Sequence, residues 1–254
     1  MATYKKKGQK KIKGGSIDKL EQESTTAGVF KSLEKNASKS EQWIEKNQNL
    51  LFYGFLSIVV IILGYLSYNT YIIEPKEKEA ANELAFPKGT FEEAINLTAE
   101  ADSIYNLALE GTNGKYGFID IAKKYSGTNA GNLANYYAGI SYLKIKNYNK
   151  AIAHLEKFNS DDAILTPIAL GAIGDAYTDL KETDKALEYY EKAANSEKNS
   201  ATTPLFLFKA ANTALDLKKA EKAEKLFRQI KNAYPSSSIA KNIEAHINKA
   251  KYAQ

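Results

Sequence analysis

Residues 139–155 read GISYLKIKNYNKAIAHL, and residues 174–190 read GDAYTDLKETDKALEYY. The two stretches carry similar residues at matching places, 35 residues apart: Gly139 and Gly174, Tyr142 and Tyr177, Ala151 and Ala186, and Leu155 and Tyr190. A third copy lies 37 residues further on, with Ala223 corresponding to Ala186, Phe227 to Tyr190, Ile230 to Ala193, and Pro235 closing the unit. This spacing is typical of a helical hairpin, which buries its apolar face by stacking on its neighbours. The sequence therefore predicts an array of stacked hairpins.

These positions resemble the tetratricopeptide repeat, which has a small and an aromatic residue on each of its two helices and a closing proline. The third copy departs from the pattern, because Ala211 and Ala214 stand where glycine and tyrosine are typical. The resemblance implies an all-α fold in which the hairpins form a curved solenoid. We expect repeats at about 132–165, 167–200 and 204–237, followed by a capping helix over 238–254.

The usual geometry of this repeat places side chains of the first helices on a concave face, where partners bind. The candidate groove residues are Tyr136, Ile140 and Lys144 of the first copy, Asp175 and Asp179 of the second, and Asn212 and Asp216 of the third. The alternative is that several of them are merely solvated. Residues 151–200 hold ten acids and five lysines, whereas residues 201–254 hold four acids and ten bases. Such opposed patches favour a protein partner over a small molecule.

One apolar run stands apart from this polar chain, because no charged residue occurs from Asn47 to Ile73. As a helix, the run is roughly 40 Å long and exceeds the roughly 30 Å hydrocarbon core of a bilayer. A cleaved signal peptide is disfavoured, since a long tail precedes the run and no small-residue cleavage site follows it. A buried core helix is disfavoured because the run is apolar on every face. We predict a single transmembrane signal-anchor helix at residues 40–73, before a solenoid at 74–254.

The apolar run contains a row of mostly small residues at helical spacing. Its members are Gly54, Ser57, Ile61, Gly64 and Tyr68. Small residues allow a second helix to approach closely, so the row is a candidate packing seam. The alternative is that glycine is simply common in membrane helices.

Lysines in the N-terminal part indicate how the chain is oriented. Residues 1–49 hold eleven lysines and six acids, whereas residues 74–254 hold 24 charges of each sign. Lysine-rich flanks stay in the cytoplasm, so we predict a cytoplasmic N-terminus and an exported C-terminal domain. Residues 1–39 are expected to form a disordered tail, because they carry few large apolar side chains. Lipid or ribosome contact by this tail stays open.

Between the span and the repeats, the sequence predicts a helix after Pro75 that is broken at Pro87 and Gly89. A longer helix is expected from Phe91 to Gly111, where the EGTNGKY segment stops it. No segment shows the sustained alternation of a β-strand.

Catalytic and cofactor motifs are not found in this sequence. There is no cysteine, and the two histidines, His154 and His246, have no second histidine at ligand spacing, so no metal or cofactor is expected. EGTNGKY lacks the spacing and hydroxyl residue of a phosphate loop. Asp161 and Asp162 suit turn formation or helix capping better than acid and base catalysis. With one arginine, Arg228, specific nucleic-acid recognition is not expected either.

The order of a lysine-rich tail, one span and a repeat domain resembles the YfgM family in the form found in Bacteroidetes. The similar segments are EPKEKEAANELAF at 74–86, GFIDIAKKYSGTNAGNLANYYAGISYL at 117–143 and NYNKAIAHLEKF at 147–158. The resemblance implies an ancillary, non-catalytic subunit of the SecYEG translocon that pairs with the periplasmic foldase PpiD. It also allows contact with emerging secreted chains, and it implies that the protein lies in the inner membrane with its C-terminal domain in the periplasm. The alternatives are an adaptor for another envelope assembly or secretion machine and, far less favoured, an enzyme.

Overall fold

Short turns connect nearly all the secondary structure of this chain, and nearly all of that structure is helical. The computed structural model describes residues 25–97, 101–112 and 114–253. The chain divides into two compact units, residues 1–68 and 69–254. The predicted all-α class is confirmed.

The described part of the first unit is one helix, α1 (Thr25–Tyr68). α1 begins earlier than the predicted span, so residues 25–39 are helical and do not form an irregular tail; the remainder of the predicted tail lies outside the described residues. Among the described residues, one helical stretch is long and apolar enough to cross a membrane, and its apolar window is not buried. This exposure contradicts the core-helix alternative.

The second unit opens with a π-helical turn, Asn69–Ile73, followed by paired helices. The elements that precede the repeats are α2 (Glu74–Asn96), α3 (Ala101–Glu110), β1 (Gly111–Thr112), β2 (Lys115–Tyr116) and α4 (Phe118–Lys124). The repeats are hairpin 1, α5 (Asn129–Lys144) and α6 (Tyr148–Leu155); hairpin 2, α7 (Leu165–Asp179) and α8 (Thr183–Ser196); and hairpin 3, α9 (Thr203–Asp216) and α10 (Ala220–Ala233). A 3₁₀ turn, Ser238–Asn242, and α11 (Ile243–Tyr252) end the chain.

Small residues allow the two helices of each hairpin to touch. A Cβ atom on Gly139 would collide with the Leu155 side chain, and one on Gly174 would lie 2.6 Å from the Tyr190 ring. In hairpin 3, Ala211 and Ala214 are fully buried at the matching place. The repeated glycine and aromatic positions are therefore contact positions within a hairpin, as the sequence pattern indicates.

The expected break at Pro87 and Gly89 is wrong, because α2 runs through both residues to Asn96. Proline inside a helix costs about 3 kcal/mol, through its missing N–H and its clash with the preceding turn. Pro87 is buried, as are Leu84 and Phe91 on the same helix. Burial of this face offsets the local cost. The chain breaks instead at Leu97, whose backbone is extended, so the long helix expected from Phe91 to Gly111 is divided between α2 and α3.

The EGTNGKY segment forms a minimal antiparallel β-hairpin. Gly111 pairs with Tyr116, and Thr112 pairs with Lys115. Gly111 and Gly114 have φ angles of 77° and 83°, a region that favours glycine. Strands of two residues are too short to produce an alternating pattern, so no strand is predicted from the sequence here.

The last helix closes the core of the repeat array. Ile243 and Ile247 of α11 are buried in one cluster with Phe227 and Ile230 of hairpin 3. The opposite side of α11 is polar and exposed, at Glu244, Asn248 and Lys249 among others. This polar side of α11 faces away from the described repeats.

Candidate functional site

A cavity of about 610 Å³ lies where the three hairpins meet. Hairpin 1 contributes the end of α5, the following turn and the start of α6, hairpin 2 contributes both helices, and hairpin 3 contributes one residue of α9. Its lining residues are Leu143, Lys144, Lys146, Tyr148, Asp175, Thr178, Asp179, Tyr190 and Lys209. Charges of both signs therefore lie around one opening.

Asp175 organises one wall of this cavity. Its Oδ1 and Oδ2 atoms accept hydrogen bonds from the Lys209 Nζ at 2.6 and 2.9 Å, and Oδ1 also accepts one from the Tyr190 hydroxyl at 2.6 Å. The Tyr190 hydroxyl lies 3.0 Å from the Thr178 Oγ1. Burial, together with the hydrogen bond to Asp175, raises the pKa of Tyr190 well above its ordinary value. This network joins hairpin 2 to hairpin 3.

The opposite wall comes from hairpin 1. Lys144 and Lys146 are exposed, and Tyr148 is half-buried beside Asp179. Burial raises the pKa of Tyr148, and the Asp179 carboxylate raises it further, because both disfavour the phenolate. The tyrosine therefore stays neutral and supplies a hydroxyl at the cavity wall.

The structure divides the seven predicted groove residues. Lys144, Asp175 and Asp179 are brought together in the cavity. Asp175 is already held by Lys209 and Tyr190, so Lys144 and Asp179 are the more accessible members.

The other four groove candidates lie elsewhere. Tyr136 and Ile140 are half-buried and pack against the core between hairpins 1 and 2, where the Tyr136 ring lies 5.2 Å from that of Phe158. The Asn212 side chain donates to the Phe208 carbonyl of its own helix, and Asp216 is exposed at the end of α9.

Sequence reasoning missed Tyr148, Thr178, Tyr190 and Lys209 as cavity residues. The repeat pattern indicates only a helix-packing role for Tyr190. The pairing of Lys209 with Asp175 joins residues 34 positions apart, a distance close to one repeat. The repeat period is the sequence feature that could predict this pair, since residues one repeat apart lie on neighbouring hairpins.

The predicted seam residues of α1 are exposed along its surface. Nothing lies within 4 Å of a Cβ atom built on Gly54 or Gly64. The Ser57 hydroxyl donates to the Gly54 carbonyl at 2.8 Å, which satisfies its polar group within the helix. Among the described residues, none packs against these two glycines, and the use of this surface as a packing seam stays a prediction.

Three of the residues considered for catalysis, Asp162, His154 and His246, have structural partners. The Asp162 Oδ1 atom accepts from the backbone N–H groups of Ile164 and Leu165 at 2.8 Å each, and these bonds lower its pKa. This is the expected capping role. His154 lies 3.0 Å from the Asn135 Oδ1, and His246 packs against the rings of Phe208 and Phe227. Within the described ranges, no group of three His, Cys, Asp or Glu side chains is placed to hold a metal ion.

Comparison with known families finds tetratricopeptide repeats in this chain. Family models with that description match residues 133–162, 168–200 and 206–237, which fall on hairpins 1, 2 and 3. No curated protein and no solved structure gives a significant match. Tetratricopeptide repeats mediate protein–protein interaction and are typically non-catalytic, so the repeats indicate an interaction scaffold.

Proposed function

We propose that this chain, with its tetratricopeptide repeats and one apolar helix, is a membrane-anchored scaffold for protein partners. In this proposal residues 1–39 form a cytoplasmic tail, residues 40–73 anchor the chain, and residues 74–254 form a periplasmic binding domain. The main support for this proposal is the cavity at which the three hairpins meet. Lys144 and Asp179 offer opposite charges there, beside the neutral hydroxyl of Tyr148. Side chains of this mixed kind suit a polypeptide partner.

The partner we propose is the Sec translocon together with a periplasmic foldase of the PpiD type or emerging secreted chains. The support is the resemblance to the YfgM family in segments 74–86, 117–143 and 147–158. The exposed seam of α1 suits a second membrane helix, since small residues let backbones approach closely. In this arrangement the helix docks beside the translocon and the cavity holds the foldase or client.

Affinity purification from membranes tests this assignment. An epitope-tagged full-length chain is purified in a gentle detergent, and co-purifying proteins are quantified by mass spectrometry. We expect translocon subunits and a foldase among the co-purifying proteins. Their reproducible absence would contradict the proposal. In that case, an outer-membrane assembly or secretion machine among the recovered proteins would support the adaptor alternative.

Two pairs of variants separate the two contacts. Lys144→Ala with Asp179→Ala should reduce foldase recovery, whereas the exposed pair Lys198→Ala with Asp161→Ala should not. The second contact is tested by Gly54→Ile with Gly64→Ile, which should reduce translocon recovery. Its matched control, Leu56→Ile with Leu63→Ile, lies off the seam and should leave recovery unchanged.

A further inference from the structure

A second cavity, of about 820 Å³, lies between α4, the start of α5 and the end of α6. It shares no lining residue with the cavity of the proposed function. The side chains that give it its chemistry are Lys123, Asn132, Asn135, His154, Lys157 and Asn159. No aspartate or glutamate lines it.

The two lysines of this cavity have no ion-pair partner among the described residues. Lys123 and Lys157 are both exposed. Some other lysines of the second unit form ion pairs, for example Lys124 with Glu79 and Lys222 with Glu191. No acidic side chain lines the cavity beside these two ammonium groups, so its lining carries a net positive charge.

The polar side chains between the lysines are held in place. The Asn132 Nδ2 donates to the Asn159 carbonyl at 2.6 Å, and the Asn132 Oδ1 accepts from the Asn159 N–H at 3.0 Å. The Asn135 Nδ2 donates to the Gly131 carbonyl, which turns its Oδ1 toward the His154 Nδ1. His154 must therefore donate from Nδ1. A site that is already ordered loses less conformational entropy when a ligand binds.

The N-terminus of α5, which borders the cavity, has its first donors occupied. The N–H groups of Asn129 and Ala130 donate to the Glu77 carboxylate at 2.7 and 2.9 Å, and the Gly131 N–H donates to the Thr128 Oγ1 at 2.9 Å. The backbone donors that usually hold an anion at a helix N-terminus are thus already used, and no arginine lines the cavity. The two lysine ammonium groups remain to bind an anion as single charges, and a carboxylate is the anion that a polypeptide partner supplies.

We propose that this cavity binds a carboxylate of a polypeptide, either its C-terminus or an acidic side chain near it. Lys123 and Lys157 supply the charge, and the asparagines with His154 form a rigid polar floor. The site goes beyond the proposed function, because it uses different residues and specifies the chemistry of its ligand.

Fluorescence anisotropy of the full-length chain in detergent tests the proposal. Three fluorescein-labelled peptides share a Gly-Ser spacer: one ends in two aspartates with a free C-terminus, one is the same peptide amidated, and one ends in two asparagines and is amidated. We expect the acidic peptides to bind and the uncharged peptide not to bind. The difference between the free and amidated acidic peptides tells whether the terminal or the side-chain carboxylate is the ligand.

Variants of equal charge change provide the control. Lys123→Ala with Lys157→Ala should weaken binding about tenfold or more, whereas the exposed pair Lys225→Ala with Lys249→Ala should change it less than about twofold. Equal weakening by both pairs, or equal binding of the uncharged peptide, would overturn the site. Displacement by inorganic phosphate at far lower concentration than by acetate would overturn the carboxylate assignment.

A second readout does not depend on variants. Brief acetylation of the wild-type chain, followed by peptide mass spectrometry, measures the reactivity of each lysine amine. The unlabelled acidic peptide should protect Lys123 and Lys157 and leave Lys225 and Lys249 reactive. Unchanged reactivity of the first two at a saturating peptide concentration counts against the proposal.

Discussion

A lysine in left-handed conformation ends the first helix of every hairpin. Lys146, Lys181 and Lys218 have φ angles of 62°, 64° and 58°. In each turn the N–H of the following residue bonds to a carbonyl five residues earlier, as in Glu182 to Tyr177 at 2.9 Å. This is the helix-ending motif in which glycine is the usual residue, because a Cβ atom destabilises the left-handed conformation. The three turns repeat one strained geometry.

Replacing one of these lysines by glycine should therefore stabilise the protein. For Lys181→Gly we expect a gain of about 0.5–1 kcal/mol, since the relief of strain exceeds the added entropy of the unfolded chain. Lys192→Gly, in the interior of α8, should cost about 1 kcal/mol. Urea unfolding monitored by circular dichroism measures both. Similar losses in the two variants would show that the turn is not strained.

His154 should make stability depend on pH. Burial lowers the pKa of His154, and the charges of Lys157 and Lys150 lower it further. The unfolded chain then binds a proton at a higher pH than the folded chain. Stability should be constant above the unfolded pKa of about 6.5 and fall as pH decreases through the interval down to the lowered folded pKa.

The measurement is urea unfolding at a series of pH values from 7.5 to 5. One histidine contributes a slope of at most about 1.4 kcal/mol per pH unit. His154→Gln should remove this part of the slope, and Lys157→Ala should reduce it. A wild-type slope unchanged by His154→Gln would assign the pH dependence to other groups.

At the scale of elements, charged side chains at the start of α2 attach this helix to the start of α5 and to the residues just before it. The Lys76 Nζ donates to the Ser126 carbonyl at 3.2 Å, and the Tyr125 hydroxyl donates to Glu79 at 2.7 Å. The Glu77 carboxylate accepts hydrogen bonds from the N–H groups of Asn129 and Ala130 at the start of α5. A carboxylate is favoured there because it accepts hydrogen bonds and lies at the positive end of the helix dipole.

Loss of the Glu77 charge should loosen this attachment. Glu77→Ala should destabilise the second unit by about 1 kcal/mol, the usual cost of losing a helix cap. Glu92→Ala, a loss of charge at the exposed end of α2, serves as the control and should be near neutral. Hydrogen exchange offers a local readout, with faster exchange at Asn129 and Ala130 expected in the Glu77 variant. Unaltered exchange there would contradict the capping role.

The repeat period predicted the hairpins because it records local contacts, such as that of Gly174 with Tyr190. Contacts between distant parts of the chain produce a weaker pattern in the sequence. Pro87 reads as a helix breaker, and only the burial of its face keeps α2 continuous. Likewise, the repeat pattern predicts a groove position for Asp175. Its pairing with Lys209, however, depends on how hairpins 2 and 3 pack together.

For the whole molecule, the proposed function combines a membrane anchor with a binding domain. The 24 acids of residues 74–254 balance their 24 bases, so the domain carries no net charge. Within it, however, the two cavities differ. Charged residues of both signs line the first, whereas the charged residues that line the second are lysines. The domain therefore offers two chemically distinct surfaces, and the compartment in which it lies decides which proteins reach them.

Protease protection in inverted inner-membrane vesicles tests the proposed orientation. The chain carries one epitope at each end, and trypsin is added outside, on the cytoplasmic face. The excess of lysine over acid in residues 1–49 should keep that end in the cytoplasm, so its epitope should be lost while the C-terminal epitope survives. Detergent with excess trypsin should then remove both. Loss of the C-terminal epitope alone from intact vesicles would reverse the topology, and a periplasmic foldase could then no longer reach either cavity.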